Sequence, residues 1–377
     1  GGISASTIIS SHSSNPDQPV WRLTVQLKAL DEQLEPALEL LRDLLFQVDA
    51  TDRERLHEVI IQTRSHYRTQ LVHQGLDTAQ TFAARGLSEA GHLSEMMSGL
   101  PQLDQCAELA GDFERHAENL IKNIQSLRDF MLNPHRLVAS FTGSDSAFHL
   151  TSSTLNKWIQ DMETDSIVPA STGFTESPPA YDGLAGPIQV SHCAKVIEAP
   201  NSTDPAAASL RVGAHLIRMD YLLPEVRFKG NAYGANFSYS PHSGRAALGS
   251  YRDPHITRTL GVFDGTHRYV TEADWRQIDI ERAIIATAKS DFRPIRPGEA
   301  TGIALQRHLS GSTLDFRQHR YEALRRVTPI TVKHALSELL SPSKRGSVCV
   351  VSSRQKLEEA NKELNQPLSV HDILPIE

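Results

Sequence analysis

The sequence predicts an α+β protein of two units, each an antiparallel sheet covered by helices on one face. Three observations predict it. Residues 18–29 alternate apolar and polar side chains, as a half-buried strand does. Long segments carry leucines at helical spacing instead. Both halves of the chain run in one order: strands early, then several helices, then a late strand and a last helix. That order is a structural repeat without a sequence repeat.

Composition narrows the function classes. The 377 residues are 39% hydrophobic and 22% charged, which suits globular domains, and at roughly 150 residues per domain they suggest two or three. No apolar run approaches the ~20 residues of a membrane helix. With 38 basic against 45 acidic residues and no long basic run, a nucleic-acid partner is not expected. Cys106, Cys193 and Cys349 are too widely spaced for a disulfide framework or a C-x-x-C metal site and read as reduced, buried thiols. The chain opens Gly1-Gly2-Ile3-Ser4, with no leader pattern, and reads as starting inside a domain.

In order, residues 1–10 read as a strand, and so do 18–29, through Trp21, Leu23, Val25 and Leu27. Asp31 is placed to cap a helix over 32–48, with Leu34, Leu38, Leu41, Leu44 and Leu45 on one stripe. Thr51 and Glu54 have capping-box spacing and open a helix that Gly75 would end. Helices are expected at 76–86, 88–98, 101–109 and 112–132, stopped by Asn133-Pro134. A strand at 136–142 and a helix at 145–161 close the first unit. Residues 163–186, rich in Ser, Thr, Pro and Gly, read as a linker holding at most one irregular strand. The second unit, 187–377, opens with a strand at 187–197. Asp204 caps a helix over 205–223 that Pro224 ends or kinks. A hairpin joins strands 232–240 and 244–251 through Pro241-His242-Ser243-Gly244. Helices at 254–266, 271–290, 298–309, 314–326 and 328–340, a strand at 346–352 and a helix at 353–364 complete it.

Seventeen histidines raise the question of a metal site. A zinc peptidase helix needs two His on one face beside a Glu, as H-E-x-x-H or H-x-x-E-H, and neither occurs. His57-Glu58 meets Ile61 where a second ligand would stand, and His66 and His73 are two turns apart. No metal ligands are therefore assigned. G-x-S-x-G, P-loop and G-x-G-x-x-G patterns are also missing.

The most informative stretch holds three ordered motifs. The first is Arg227-Phe228-Lys229-Gly230-Asn231-Ala232-Tyr233-Gly234. The second is Ser250-Tyr251-Arg252-Asp253-Pro254, and the third Phe263-Asp264-Gly265. Here the sequence resembles the presequence-protease branch of the pitrilysin/insulinase metallopeptidases, the inverted zincins. Members carry an R-V-x-G-G-A-Y-G turn, an S-Y-R-D-P motif and an aromatic-Asp-Gly.

The resemblance implies four homologous α+β domains in two halves, closing around a peptide chamber. Zinc sits in the first domain, on H-x-x-E-H and a distant Glu, which nothing here matches. Residues 1–162 would then be the third domain, truncated at its N-terminus, and 187–377 the fourth. The implied function is the C-terminal half of a zinc-dependent oligopeptidase that degrades short unstructured peptides such as targeting peptides. The fragment alone would be inactive. Its partners would be the N-terminal half and the peptide, with no nucleic acid or membrane. It would work in a bacterial cytoplasm or in a mitochondrial or plastid matrix.

By the same resemblance, Arg227 and Tyr233 reach the substrate, and Gly230, Asn231, Ala232 and Gly234 form a substrate-binding loop. A phenol and a guanidinium aimed at the scissile carbonyl stabilise the charge that grows on its oxygen. The bland alternative makes Tyr233 a packed strand aromatic and Arg227 a helix-end cation. Asn231 stands where the family has its second Gly, and Asn is the least costly replacement if that position has positive φ. Arg252 and Asp253 read as structural. A rival reading is a non-catalytic partner subunit or peptide-binding scaffold that lacks its own metal half.

Overall fold

The computed structural model describes residues 1–13, 15–160, 162, 164, 173–289, 291–344 and 346–373. The middle of the expected linker, 165–172, lies outside them. The class is α+β, with a six-stranded sheet at its centre.

The first unit begins with a hairpin, β1 (Gly2–His12) and β2 (Asn15–Lys28), paired in register from Gly2↔Lys28. These two strands pair only with each other among the described residues, so the unit shows no larger sheet. Helices follow: α1 (Leu34–Phe46), α2 (Arg53–His73), α3 (Gly75–Ala84), α4 (Glu89–Ser98), α5 (Leu100–Gly111), α6 (Phe113–Met131) and α7 (Asp145–Gln160). Leu34, Leu38 and Trp158 pack α1 against α7.

Several local expectations are corrected. Asp31 does not cap a helix; it lies in a 3-10 turn and accepts a hydrogen bond from Ser144. The cap of α2 is Asp52, which accepts from the Arg55 amide, while Thr51 bonds back to Asp49, so no capping box forms. Gly75 opens α3 rather than ending α2. Its requirement for glycine is close approach: a Cβ there would lie 2.5 Å from the His192 ring. The strand expected at 136–142 is absent. Asn133 caps a short 3-10 turn, and Leu137 and Val138 remain exposed with no strand to pair with.

The second unit comprises β3 (Tyr181–Ala185), β4 (His192–Glu198), α8 (Ala207–Ile217), a π-helix (Arg218–Phe228), β5 (Gly234–Ser240) and β6 (Arg245–Tyr251). Then come α9 (Thr257–Glu272), α10 (Gln277–Ala288), α11 (Pro297–Leu309), α12 (Leu314–Arg325) and α13 (Pro329–Leu339). β7 (Gly346–Ser352), α14 (Arg354–Asn361) and β8 (Ser369–Asp372) complete the unit.

Strand order is β5-β6-β4-β7-β3-β8. The expected antiparallel sheet is in fact mixed: β3 runs parallel to both β7 and β8. β3 falls inside the segment read as a linker, so that segment's last residues are sheet. It is the one strand that the linker reading allows, and it is regular, five residues long with four buried positions.

The sheet is also covered on both faces, not one. Along β4, Cys193 and Ile197 join a core with α8, α9 and α13, while Ala194 and Val196 point the other way. The second face packs on Ala79, Phe82 and Ala83 of α3, which comes from the first unit. Burial on both faces explains why β7 reads Val348-Cys349-Val350-Val351 without alternation.

Candidate functional site

The site lies where the π-helix hands the chain to edge strand β5. Pro224 does not end the helix. It lacks an N–H, and the chain widens to i→i+5 bonding, with Lys229 N donating to Pro224 O at 3.0 Å. The Ala232 amide then closes the turn onto Val226 O at 3.2 Å.

Each residue of the first motif has a place in that turn. Gly230 is buried, and a Cβ there would lie 2.5 Å from both Val226 O and the Arg258 guanidinium. Asn231 has φ 59°, in the left-handed region where Asn costs least after Gly. Ala232 is buried, and Gly234 pairs with Tyr251 across β5 and β6. These backbone demands leave Arg227 and Tyr233 on the outside. Tyr233 is 69% exposed, its amide donating to Arg252 O and its ring set edge-on to Tyr251 at 5.9 Å. Arg227 is exposed beside Phe228, with its guanidinium carbon 5.7 Å from that ring. Among the described residues neither side chain makes a hydrogen bond or ion pair. Tyr233 is therefore not the packed strand aromatic of the bland alternative.

The second motif supports the first from beneath. Asp253 is fully buried, accepts from the His255 amide and the Thr259 hydroxyl, and so anchors the start of α9, as expected. Arg252 adopts φ 48° and donates its amide to His192 Nδ1 at 3.4 Å. The His192 ring packs on Tyr251 at 4.9 Å. Burial first, and then the Arg252 charge, lower the His192 pKa to about 4, so the ring is neutral at pH 7 and can accept. Sequence reasoning missed this His192–Tyr251–Tyr233 stack, because His192 is brought in by another strand. In the third motif Phe263 is core, Asp264 pairs with Lys195 at 2.7 Å, and a Cβ on Gly265 would meet the Tyr221 hydroxyl.

No group of three or more His, Cys, Asp or Glu among the described residues is placed to hold a metal. His57 stacks on Phe113 instead. Burial raises the pKa of the Cys193 and Cys349 thiols, which stay protonated.

Two family profiles match the chain. One describes a domain associated with subfamily C of the M16 peptidases and matches residues 1–109; the other, "PreP C-terminal domain", matches residues 186–351. The chain belongs to the presequence-protease branch of the M16 peptidases, as part of its C-terminal half. It is 25% identical over 364 residues to presequence protease 1, chloroplastic/mitochondrial, of Arabidopsis thaliana, covering 96% of this chain and 34% of that protein. It is 28% identical over 370 residues to the mitochondrial presequence protease of Aspergillus oryzae, covering 94% and 35%. The chain thus spans about a third of the length of the curated relatives it matches. Among solved structures, a Helicobacter pylori protease shares the fold at TM-score 0.64 and 12% identity, over 92% of this chain and 82% of that one. A peptidase M16 inactive domain from Pseudomonas fluorescens does so at 0.58 and 13%, over 93% and 81%. No helix among the described residues is long and apolar enough to cross a membrane.

Proposed function

We propose that this chain forms the metal-free wall of a zinc peptidase's substrate chamber and that Arg227 and Tyr233 act on the scissile carbonyl. The supporting observation is their presentation: two donors, exposed and unpaired, Arg227 in the last turn of the π-helix and Tyr233 on the turn that follows it, whose backbone is fixed by a buried glycine and a left-handed Asn231. The described residues offer no zinc site, so the zinc would sit on the N-terminal half, supplying the chemistry of attack. This chain's own part is to bind extended peptide along Gly230–Gly234 and to place a phenol and a guanidinium at the carbonyl. Both donors stabilise an oxyanion more than a neutral carbonyl, which lowers the barrier. Unstructured targeting peptides are the proposed substrates, in a mitochondrial or plastid matrix or a bacterial cytoplasm. The chain alone would not cleave peptide.

The test is Tyr233→Phe in the complete enzyme. Turnover is expected to fall about 10²–10³-fold, with a smaller change in KM and an unshifted melting temperature. Unchanged turnover would remove Tyr233 from the mechanism. The absence of a metal cluster among the described residues also fits a second reading, a non-catalytic subunit that binds peptide beside a separate zinc chain. An H-x-x-E-H sequence in frame upstream of Gly1 selects the first reading.

A further inference from the structure

A pocket of about 360 Å³ lies at the far end of β5 from Tyr233, where the β5–β6 turn meets β1, α4 and the end of α11. Seven strand residues separate the two places, roughly 20 Å at strand rise. Six of the twelve lining residues are serines. The rest include Arg245, Arg307, His242 and Gln306, and none is Asp or Glu.

The charges in this pocket are poorly matched. Arg245 is half-buried, and burial lowers its pKa. Neither Arg245 nor Arg307 has an ion-pair partner among the described residues. His242 turns a fully buried Nδ1 toward no partner. Arg211 and Arg320 add positive potential at His242, lowering its pKa behind the desolvation that comes first. Asp291 does not cancel this, because it is already held by both of those arginines at 3.1 and 3.2 Å. The carbonyl end of α11 would repel an anion. Here its last-turn oxygens are taken up by the amides of Ser310, Gly311 and Ser312.

A desolvated guanidinium without a counter-ion is costly, and an anion that pairs with it removes that cost. Hydroxyls and guanidinium groups around a cavity this size suit a phosphate- or carboxylate-class oxyanion with its bridging waters. We infer that this pocket is an oxyanion-binding site held by Arg245, Arg307 and His242. The ligand is a free small anion or the carboxylate of a peptide end. The inference does not depend on the roles proposed for Arg227 and Tyr233.

Calorimetric titration of the chain at constant ionic strength tests it, with inorganic phosphate in one arm. In the other, one decapeptide is used with a free C-terminal carboxylate and again as its amide. Saturable phosphate binding identifies a free-anion site, and preference for the acid over the amide identifies a peptide-end site. Binding in either arm should weaken roughly tenfold or more in Arg307→Gln and vanish in Ser243→Glu, which puts an acid on the pocket rim. Both positions are partly exposed, so folding is retained, checked by an unchanged melting curve. No saturable binding in either arm, or binding indifferent to both substitutions, would overturn the inference.

Discussion

His192 shows how one buried residue ties the candidate site to pH. Its neighbours leave it neutral, with a pKa lowered to about 4 against an ordinary value of 6.5. The unfolded chain therefore takes up a proton that the folded chain resists. Stability is fully present above about pH 6.5 and drains away as the pH falls toward 4, by a few kcal/mol at most. In His192→Gln that acid limb should flatten, while stability at pH 8 changes less. Chemical denaturation at pH 8 and at pH 5 measures both. An equal loss at both pH values would show that His192 contributes packing alone. His215 and His242 are lowered by burial too, so part of the slope will remain.

Docking of α3 on the sheet rests on one polar contact amid apolar ones. Asp182 of β3 has a side chain only 5% exposed, and Arg85 reaches it at 2.8 Å from the end of α3. His371 of β8 approaches its other oxygen at 3.1 Å. Arg85 also lies 3.7 Å over the Phe82 ring. Truncating Arg85 leaves a buried carboxylate short of a partner, which costs more than an exposed pair returns. Arg85→Met should lower stability by about 2 kcal/mol, limited because His371 remains. Adding Asp182→Asn should recover part of it, since the orphan charge is gone. The urea midpoint reads both, and an unmoved midpoint in Arg85→Met would show that the bridge contributes nothing.

At the scale of the molecule, the two units share a core. Leu184, Ala194, Val196 and Val351 are at most 1% exposed, and what covers them is α3. A chain of residues 173–377 alone would bare that apolar face over several strands. It should self-associate at micromolar concentration and bind a hydrophobic dye, although all six strands of its sheet are present. Sedimentation of the shortened chain decides this. A monodisperse, cooperatively unfolding monomer would mean that α3 is dispensable cover.

Local chemistry was legible where it is written in neighbouring residues. The alternation of 18–29 gave β2, the Asn133-Pro134 stop ended α6, and Pro241–Gly244 turned the hairpin. Asn231 stands where the resemblance puts a glycine, and its φ of 59° is the positive φ under which Asn is expected to be the least costly replacement. Family membership and α+β class were likewise readable, because three short motifs keep their order. Contacts between distant segments were not legible. A five-residue strand among prolines gains its stability from β7 and β8, so β3 read only as one irregular strand that a linker could hold. A parallel register is set by partners far along the chain, so the sheet looked antiparallel. Pro224 breaks an α-helix locally, yet packing against the sheet keeps the chain helical in a wider form. A strand pattern at 136–142 found no partner and stayed unpaired. Sequence determines which segments can bury a face. Only the fold decides which face meets them, because burial is a property of two surfaces and the sequence lists one at a time.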